Sequence, residues 1–297
     1  MTLREPDESN TLRFEEIEGD LNALQRETPM AVSRSQHPFL KNDPLLRAVL
    51  ITQARMAGFT LDVIRLAAAA RPSDRERTPF ILAALSPLVR ELLDQVFTLA
   101  FLFEDLPSRW LQFKKGGWRD LKRQNDVIRR HESDPAWLPC IEDHSGLLKK
   151  IEVEAAMTEE EIKAGGNVRW PTPGRMKDSS ALGELKDYLT HLDEWFYREL
   201  SQSSHAQLMG ILDEASFLAV DETLTGREKV LFIEMKRALV AFRGIGLTLA
   251  VFSELEIALR LGLAERLLSL WRKSVKMQPE IVELFAMRYE RKLEALR

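Results

Sequence analysis

The chain has 297 residues, of which 45% are hydrophobic and 30% charged, so it can bury a sizeable core and should fold as a globular protein. Its net charge of -4 excludes the overall positive field that drives non-specific binding to nucleic acids or membranes. The single cysteine, Cys140, excludes an internal disulfide and a thiolate metal cluster within one chain, which fits a reducing, cytoplasmic location.

The first 40 residues are predicted to form a loosely attached, partly disordered arm with a short helix around residues 12–24. After Asp43-Pro44, apolar residues recur at helical spacing as far as Ala57. A second helical pattern covers residues 60–70. Together the two patterns predict a helical hairpin with its bend near Gly58.

A further helix is predicted to begin at Ser86-Pro87 and to continue to Phe103. Its apolar residues point in nearly every direction, so it should be buried on most sides. Arg90 and Asp94, one helical turn apart, share a face of this helix. Burying either charge without a partner would cost several kcal/mol, so another segment must supply hydrogen-bonding groups.

Residues 110–130 are predicted to form a basic helix, and residues 133–180 a loop-rich excursion. Beyond this excursion the pattern is helical, and the predicted helices cover residues 181–201, 225–263, 264–276 and 279–297. No run of alternating β-branched residues indicates a sheet. The predicted fold is therefore all-α, an irregular multi-helix bundle that forms a single domain over residues 41–297, with the looped excursion between its two halves.

Two stretches, residues 80–103 and 238–264, are apolar enough to compare with membrane helices. Charged residues interrupt both of them, and a charge at the centre of a bilayer costs several kcal/mol. We therefore predict two buried helices and no membrane partner. The N-terminus also lacks the basic start and apolar run of a secretory signal, so export is not expected.

Most of the chemically capable polar side chains of residues 188–205 fall on one stripe of a helix, within about 60° of Arg198. They are His191, Glu194, Arg198, Ser201 and His205. The solvated face of an amphipathic helix also accounts for such a stripe. If this helix packs on the helix of Arg90 and Asp94, however, Asp94 could orient His205 or pair with Arg198, and Tyr197 and Ser201 would supply hydroxyl groups.

Other chemistries fit these residues less well. A metal site is disfavoured because His191 and His205 would lie about 21 Å apart along a straight helix. A Ser-His-Asp hydrolase is disfavoured because Ser201 has no nucleophile elbow. We therefore predict neither a metal nor a cofactor.

The basic tract from Lys114 to Arg130 is flanked and interrupted by Trp110 and Trp118. Such a tract can bind phosphates and stack bases, although a solvated basic helix also explains it. RNA is therefore one of the partners that we consider.

Three motifs together resemble a bacterial family of all-helical proteins of unknown function: Arg90-x3-Asp94, Trp170-Pro171 and Tyr197-x3-Ser201-x3-His205. That family is marked by an Arg-x3-Glu helix and a Tyr-x3-Ser-x3-His helix, and Asp94 stands here where glutamate is more usual. The resemblance covers about residues 80–210. It implies a helical fold and no established activity.

Arg198-x6-His205 is also similar to the Arg-x4 to x6-His motif of HEPN domains. These are small helical bundles of prokaryotic toxins and defence systems that cleave RNA without metal. The similarity implies that His205 is the acid or base acting on the ribose hydroxyl and the leaving oxygen. It implies that Arg198 stabilises the pentacoordinate phosphate.

Two functional hypotheses follow. The first is a HEPN-like, metal-independent endoribonuclease or RNA-processing component of a prokaryotic defence or toxin system. Its expected catalytic residues are Arg198, His205, Ser201, Tyr197, Asp94 and Arg90. The second is a non-catalytic helical scaffold or interaction protein in which the same side chains form a buried network that fixes helix register. The expected partners are RNA, a partner protein, or a second copy of the chain in a homodimer.

Overall fold

A computed structural model describes residues 15–69, 82, 84–179, 183–200, 226–276 and 280–297. All regular structure in these residues is helical, and they contain no β-strand. The prediction of an all-α, multi-helix bundle is thereby confirmed.

The helices are numbered here in chain order. The first four are α1 (Glu15–Arg34), α2 (Pro38–Asn42), α3 (Pro44–Ala69) and α4 (Ser86–Glu104). The next four are α5 (Leu106–Ile128), α6 (Leu138–Glu154), α7 (Glu159–Lys163) and α8 (Pro173–Ser179). The last five are α9 (Glu184–Leu192), α10 (Gly226–Leu259), α11 (Ala264–Val275), α12 (Glu280–Leu284) and α13 (Glu290–Glu294). Two π-helical turns, Asp193–Tyr197 and Phe285–Tyr289, follow α9 and α12.

The chain divides into two compact units, and the single domain expected for residues 41–297 stays a prediction. The main unit comprises Met1–Ala100 and Lys177–Arg297, and the inserted unit comprises Phe101–Met176. The predicted excursion over residues 133–180 is thus part of a larger compact unit that begins earlier in the chain.

The core of the main unit is built around α3, which packs against both α1 and α10. The fully buried side chains of α3 repeat at helical spacing and form one face; they are Leu50, Ala54, Ala57, Leu61 and Ile64. Gly244 on α10 lies directly over this face, because a Cβ added there would be 3.2 Å from Leu61 Cδ1. The close approach of α10 to α3 therefore depends on a small residue at position 244.

Helix α1 packs into the core, although it lies in the stretch for which a loose arm was predicted; residues 1–14 of that stretch lie outside the described residues. Its apolar residues Ile17, Leu21, Leu24 and Val32 are completely buried. The acidic residues of this helix also contact its neighbours, because Glu18 pairs with Arg65 of α3 and Asp20 with Lys273 of α11.

Gly58 is likewise not a bend, because α3 runs without interruption from Pro44 to Ala69. The side chain of Gln25 from α1 packs beside this glycine, and its Nε2 donates hydrogen bonds to Gly58 O and to Asp62 Oδ1, both at 3.1 Å. A glycine inside a helix is tolerated when a neighbour packs closely on it. This contact fixes the position of α1 along α3.

In the inserted unit, α5 packs against α6. The 17 residues of α6, Leu138–Glu154, lie within the stretch that was predicted to be rich in loops. Pro139 lies in the first turn of α6, where the missing N–H of proline is not needed. The loop that precedes α8 places Trp170 edge-on against the rings of Phe101 and Phe113, with centroid distances of 5.5 and 4.9 Å.

Among the described residues, one helical stretch, Val230–Leu259, is long and apolar enough to cross a membrane. The most apolar 18-residue segment of this stretch is 72% buried inside the protein. A buried core helix has this length and composition as well.

Candidate functional site

The Arg90 and Asp94 pair lies on α4, as the sequence pattern indicated. Arg90 Nε donates a hydrogen bond to Asp94 Oδ2 at 3.2 Å. The arginine side chain is mostly buried, whereas the carboxylate remains partly exposed. Nη1 of Arg90 is buried and has no hydrogen-bond partner within the part of the chain that the structure describes.

Tyr197 completes this cluster from the end of the π-helical turn that follows α9. The Arg90 guanidinium carbon lies 3.8 Å from the centre of the Tyr197 ring, a cation–π contact. Phe97, one turn after Arg90 on α4, meets the same ring edge-on at a centroid distance of 5.9 Å. The structure therefore brings together three of the six predicted site residues, Arg90, Asp94 and Tyr197.

The ionisation of the cluster is governed mainly by burial. Burial raises the pKa of the Asp94 carboxyl, and the charge of Arg90 opposes this effect. Burial also raises the pKa of the Tyr197 phenol above its ordinary value, which is about 10. Tyr197 therefore stays protonated at neutral pH and cannot serve as a base.

Arg198 follows Tyr197 directly but faces a different carboxylate. Its side chain is 63% exposed, and Nη2 lies 3.8 Å from Asp193 Oδ2. The buried Asp193 accepts a shorter hydrogen bond, 2.6 Å, from Lys177 Nζ. Arg198 thus contacts Asp193 and not Asp94, and its guanidinium remains accessible to solvent.

Ser201 and His205 lie outside the described residues. Their expected position beside Arg198 and the Arg90 cluster therefore stays a prediction. His191, on the same sequence stripe, lies in the described part, where its Nε2 is 3.4 Å from Glu283 Oε2. No group of three or more potential metal ligands occurs among the residues that the structure describes.

Trp110 and Trp118, which were considered as base-stacking residues of the basic tract, are both buried. Their rings cannot receive a base. Any contact of this tract with nucleic acid would therefore depend on its arginine and lysine side chains.

An exposed apolar stripe on α3 was not predicted. Four large apolar side chains lie side by side on the face opposite the core, with exposed fractions of 44% for Met56, 65% for Phe59, 49% for Val63 and 74% for Leu66. We call these four residues the α3 stripe. Their spacing of three, four and three residues is helical and was available in the sequence. The sequence does not show, however, that the core already occupies the other face of α3.

A buried polar network in the main unit was also missed. Arg288, in the second π-helical turn, holds Glu254 of α10 in a two-pronged ion pair, with Nη2 donating to Oε2 at 2.8 Å. The Tyr289 hydroxyl donates to Glu254 Oε1 at 3.0 Å, and the Tyr188 and Tyr289 hydroxyl oxygens are 2.7 Å apart. Burial raises the pKa of both phenols, so the pair stays neutral. The network is sealed from solvent and is therefore structural.

Comparison with protein-family models, with curated proteins and with solved structures found no match. The function must therefore be argued from the geometry of this chain.

Proposed function

We propose that this chain is a helical interaction protein that assembles with a second copy of itself through the α3 stripe. The observation that carries the proposal is the alignment of Met56, Phe59, Val63 and Leu66 on the solvent face of a helix whose opposite face is completely buried. Scattered exposed apolar residues are normal on protein surfaces, but an aligned row of them is typical of a docking face.

The charges beside the stripe favour a second copy as the occupant. Arg55 and Asp62 are seven residues apart, close to two helical turns, so they lie on the same edge of the stripe. When two copies of a helix pack antiparallel around a two-fold axis, residues on the same edge face each other. An axis near Phe59 therefore places Arg55 opposite the partner subunit's Asp62, and the symmetry repeats this pair.

The existing contacts of the two charged residues are compatible with this arrangement. Asp62 Oδ1 accepts the Gln25 amide from α1 and lies 3.7 Å from Arg65 Nη1, while the side chain stays about half exposed. Arg55 is exposed, and no carboxylate pairs with it among the described residues. A second copy would supply opposite charges as well as apolar surface, which favours one register of pairing over others.

The proposal is tested by replacing Phe59 with glutamate and measuring self-association by sedimentation velocity over a concentration series. Both subunits of a two-fold dimer carry the substitution, so two aromatic rings are lost from the interface. The dimer should therefore dissociate at least about a hundredfold more readily. Val153→Glu is the matched control, because Val153 is an even more exposed apolar residue on α6. A wild-type chain that is monomeric at every concentration would contradict the proposal, as would equal effects of the two substitutions.

RNA cleavage by Arg198 and His205 is a second candidate function. The observation that favours it is the 63% exposure of Arg198, whose guanidinium can reach an external phosphate. In this mechanism His205 exchanges protons with the ribose hydroxyl and the leaving oxygen, and Arg198 stabilises the negative charge of the phosphate. A cytoplasmic role in prokaryotic defence, as in HEPN proteins, would accompany this activity.

This second candidate is tested by digesting single-stranded RNA in the presence of a chelator. The wild type should cleave, and Arg198→Ala and His205→Ala should each abolish cleavage. Arg291→Ala, which removes an exposed arginine at the far end of the chain, should cleave like the wild type. Equal cleavage by all four proteins, or none by the wild type, would exclude this function.

A further inference from the structure

Arg119 of the inserted unit has a mostly buried side chain and, among the described residues, no counter-charge. Its residue is 7% exposed, yet no carboxylate pairs with its guanidinium among the described residues. Its nitrogen atoms are not among those sealed from solvent, so the tip of the side chain reaches the surface. Most of the Arg119 side chain is thus packed inside the unit, whereas its charged tip is open to an external anion.

Two further arginines lie beside Arg119. Arg123 is one helical turn further along α5 and shares its face. Arg169 belongs to the loop before α8, and this loop crosses α5 closely. A Cβ added to Gly166 would lie 3.2 Å from Arg119 Cβ, and Gln112 Nε2 donates to the Arg169 carbonyl at 3.3 Å. The fold of this unit therefore holds three guanidinium-bearing residues on one side of α5.

Two neighbouring lysines differ from these arginines, because each is paired with a carboxylate. Lys115 pairs with Glu161, and Lys122 lies 2.8 Å from Asp126. No carboxylate pairs with Arg123 or Arg169 in the described ranges. The paired lysines are electrostatically satisfied, whereas the three arginines are not.

The three arginines also interact electrostatically. Burial lowers the pKa of Arg119, and the charges of Arg123 and Arg169 lower it further. Asp120 acts in the opposite direction but does not cancel these effects. An anion bound between the three guanidinium groups would relieve this repulsion.

We propose that Arg119, Arg123 and Arg169 form a binding site for a phosphoryl group. A guanidinium has five N–H donors and no acceptor, and a tetrahedral phosphate has enough oxygen atoms to accept from three arginines at once. A single carboxylate would be satisfied by one arginine fork. The ligand is therefore a free phosphate or the phosphodiester of a nucleic acid, and the site is separate from the α3 stripe.

The test uses the full chain and two probes. Binding of inorganic phosphate is measured by calorimetry against a chloride reference at constant ionic strength. Binding of a labelled single-stranded RNA of 12 nucleotides is measured by fluorescence anisotropy over a range of salt concentrations. Arg123→Gln and Arg169→Gln are the test variants, since both side chains are exposed and neither should affect folding. Lys122→Gln, on the same helix, is the control because Asp126 already neutralises that lysine.

We expect each arginine variant to weaken phosphate binding about tenfold or more, because each loses charge-assisted hydrogen bonds. The lysine control should stay within about twofold of the wild type. If RNA is the natural source of the phosphate, the salt dependence of RNA binding should also fall by about 0.7 in logarithmic slope for each arginine removed. Binding of phosphate without RNA identifies a free phosphate instead. A wild type that binds neither probe, or a lysine variant as weak as the arginine variants, overturns the proposal.

Discussion

Replacing Glu254 with glutamine should destabilise the protein by about 3 to 5 kcal/mol, because Arg288 would keep its charge in the core without a counter-charge. The ion pair joins α10 to the second π-helical turn, and the Tyr289 hydroxyl also donates to the same carboxylate. Urea unfolding of the purified variant, compared with the wild type, measures the loss.

Glu256 provides the matched control. It lies on the same helix and is equally buried, but its carboxylate accepts backbone N–H groups of Leu261 and Leu263 and pairs with no described cation. Glutamine retains an acceptor oxygen there, so Glu256→Gln should cost only about 1 kcal/mol. A double variant with methionine at positions 254 and 288 should lose much less free energy of unfolding than the two single methionine variants lose together. Equal losses for the two glutamine variants would show that the buried pair has no special role.

Replacing Gly116 with alanine should destabilise the inserted unit by about 1 to 3 kcal/mol, whereas the same change at Gly117 should stabilise it by about 0.5 to 1 kcal/mol. A Cβ at position 116 would lie 2.8 Å from the backbone nitrogen of Trp170, and at position 117 it would meet nothing within 4 Å. Both positions are inside α5, so the gain in helix propensity is the same for both.

The two glycine variants are compared by thermal unfolding and by hydrogen exchange of residues 164–172. Gly116→Ala should lower the melting temperature and speed exchange in this loop, because Trp170 must move away from Phe101 and Phe113. Gly117→Ala should leave the loop unchanged. If both substitutions shift stability in the same direction by the same amount, the close contact between Gly116 and Trp170 is not a constraint on the fold.

Helical periodicity was sufficient to predict the fold class and several helix boundaries. The helix expected from Ser86 to Phe103 is α4, which ends at Glu104, and the helix expected over residues 264–276 is α11, which ends at Val275. Proline near a helix start and apolar residues at helical spacing are local signals, so they can be read without knowledge of the rest of the fold.

The predictions that failed concern contacts between distant segments. Gly58 suggested a bend, but Gln25 of α1 fills the space beside it and the helix continues. Residues 133–180 were predicted to be rich in loops, but Pro139 within them occupies the first turn of α6. Glycine and proline occur both in helices and in turns, so the sequence alone leaves their role open. The segments that pack on them decide it.

The candidate site was predicted only in part, because it also depends on contacts between distant segments. The need of Arg90 and Asp94 for a partner could be inferred from their position on an apolar helix, and Tyr197 does lie against Arg90. The exposure of the α3 stripe could not be inferred, because the pattern of α3 shows apolar residues on two faces and does not indicate which face the core covers. The pairing of Arg198 with Asp193 was equally hidden, since it depends on the π-helical turn between Asp193 and Tyr197.

The most direct test of self-assembly through the α3 stripe is a charge exchange between Arg55 and Asp62. Arg55→Asp and Asp62→Arg should each weaken the dimer, because each places like charges opposite one another twice across the two-fold axis. The double variant restores opposite charges in the antiparallel register, so sedimentation velocity should show a dimer close to the wild type in strength. A double variant that unfolds in urea like the wild type but dissociates as readily as the single variants would contradict the antiparallel pairing of two copies.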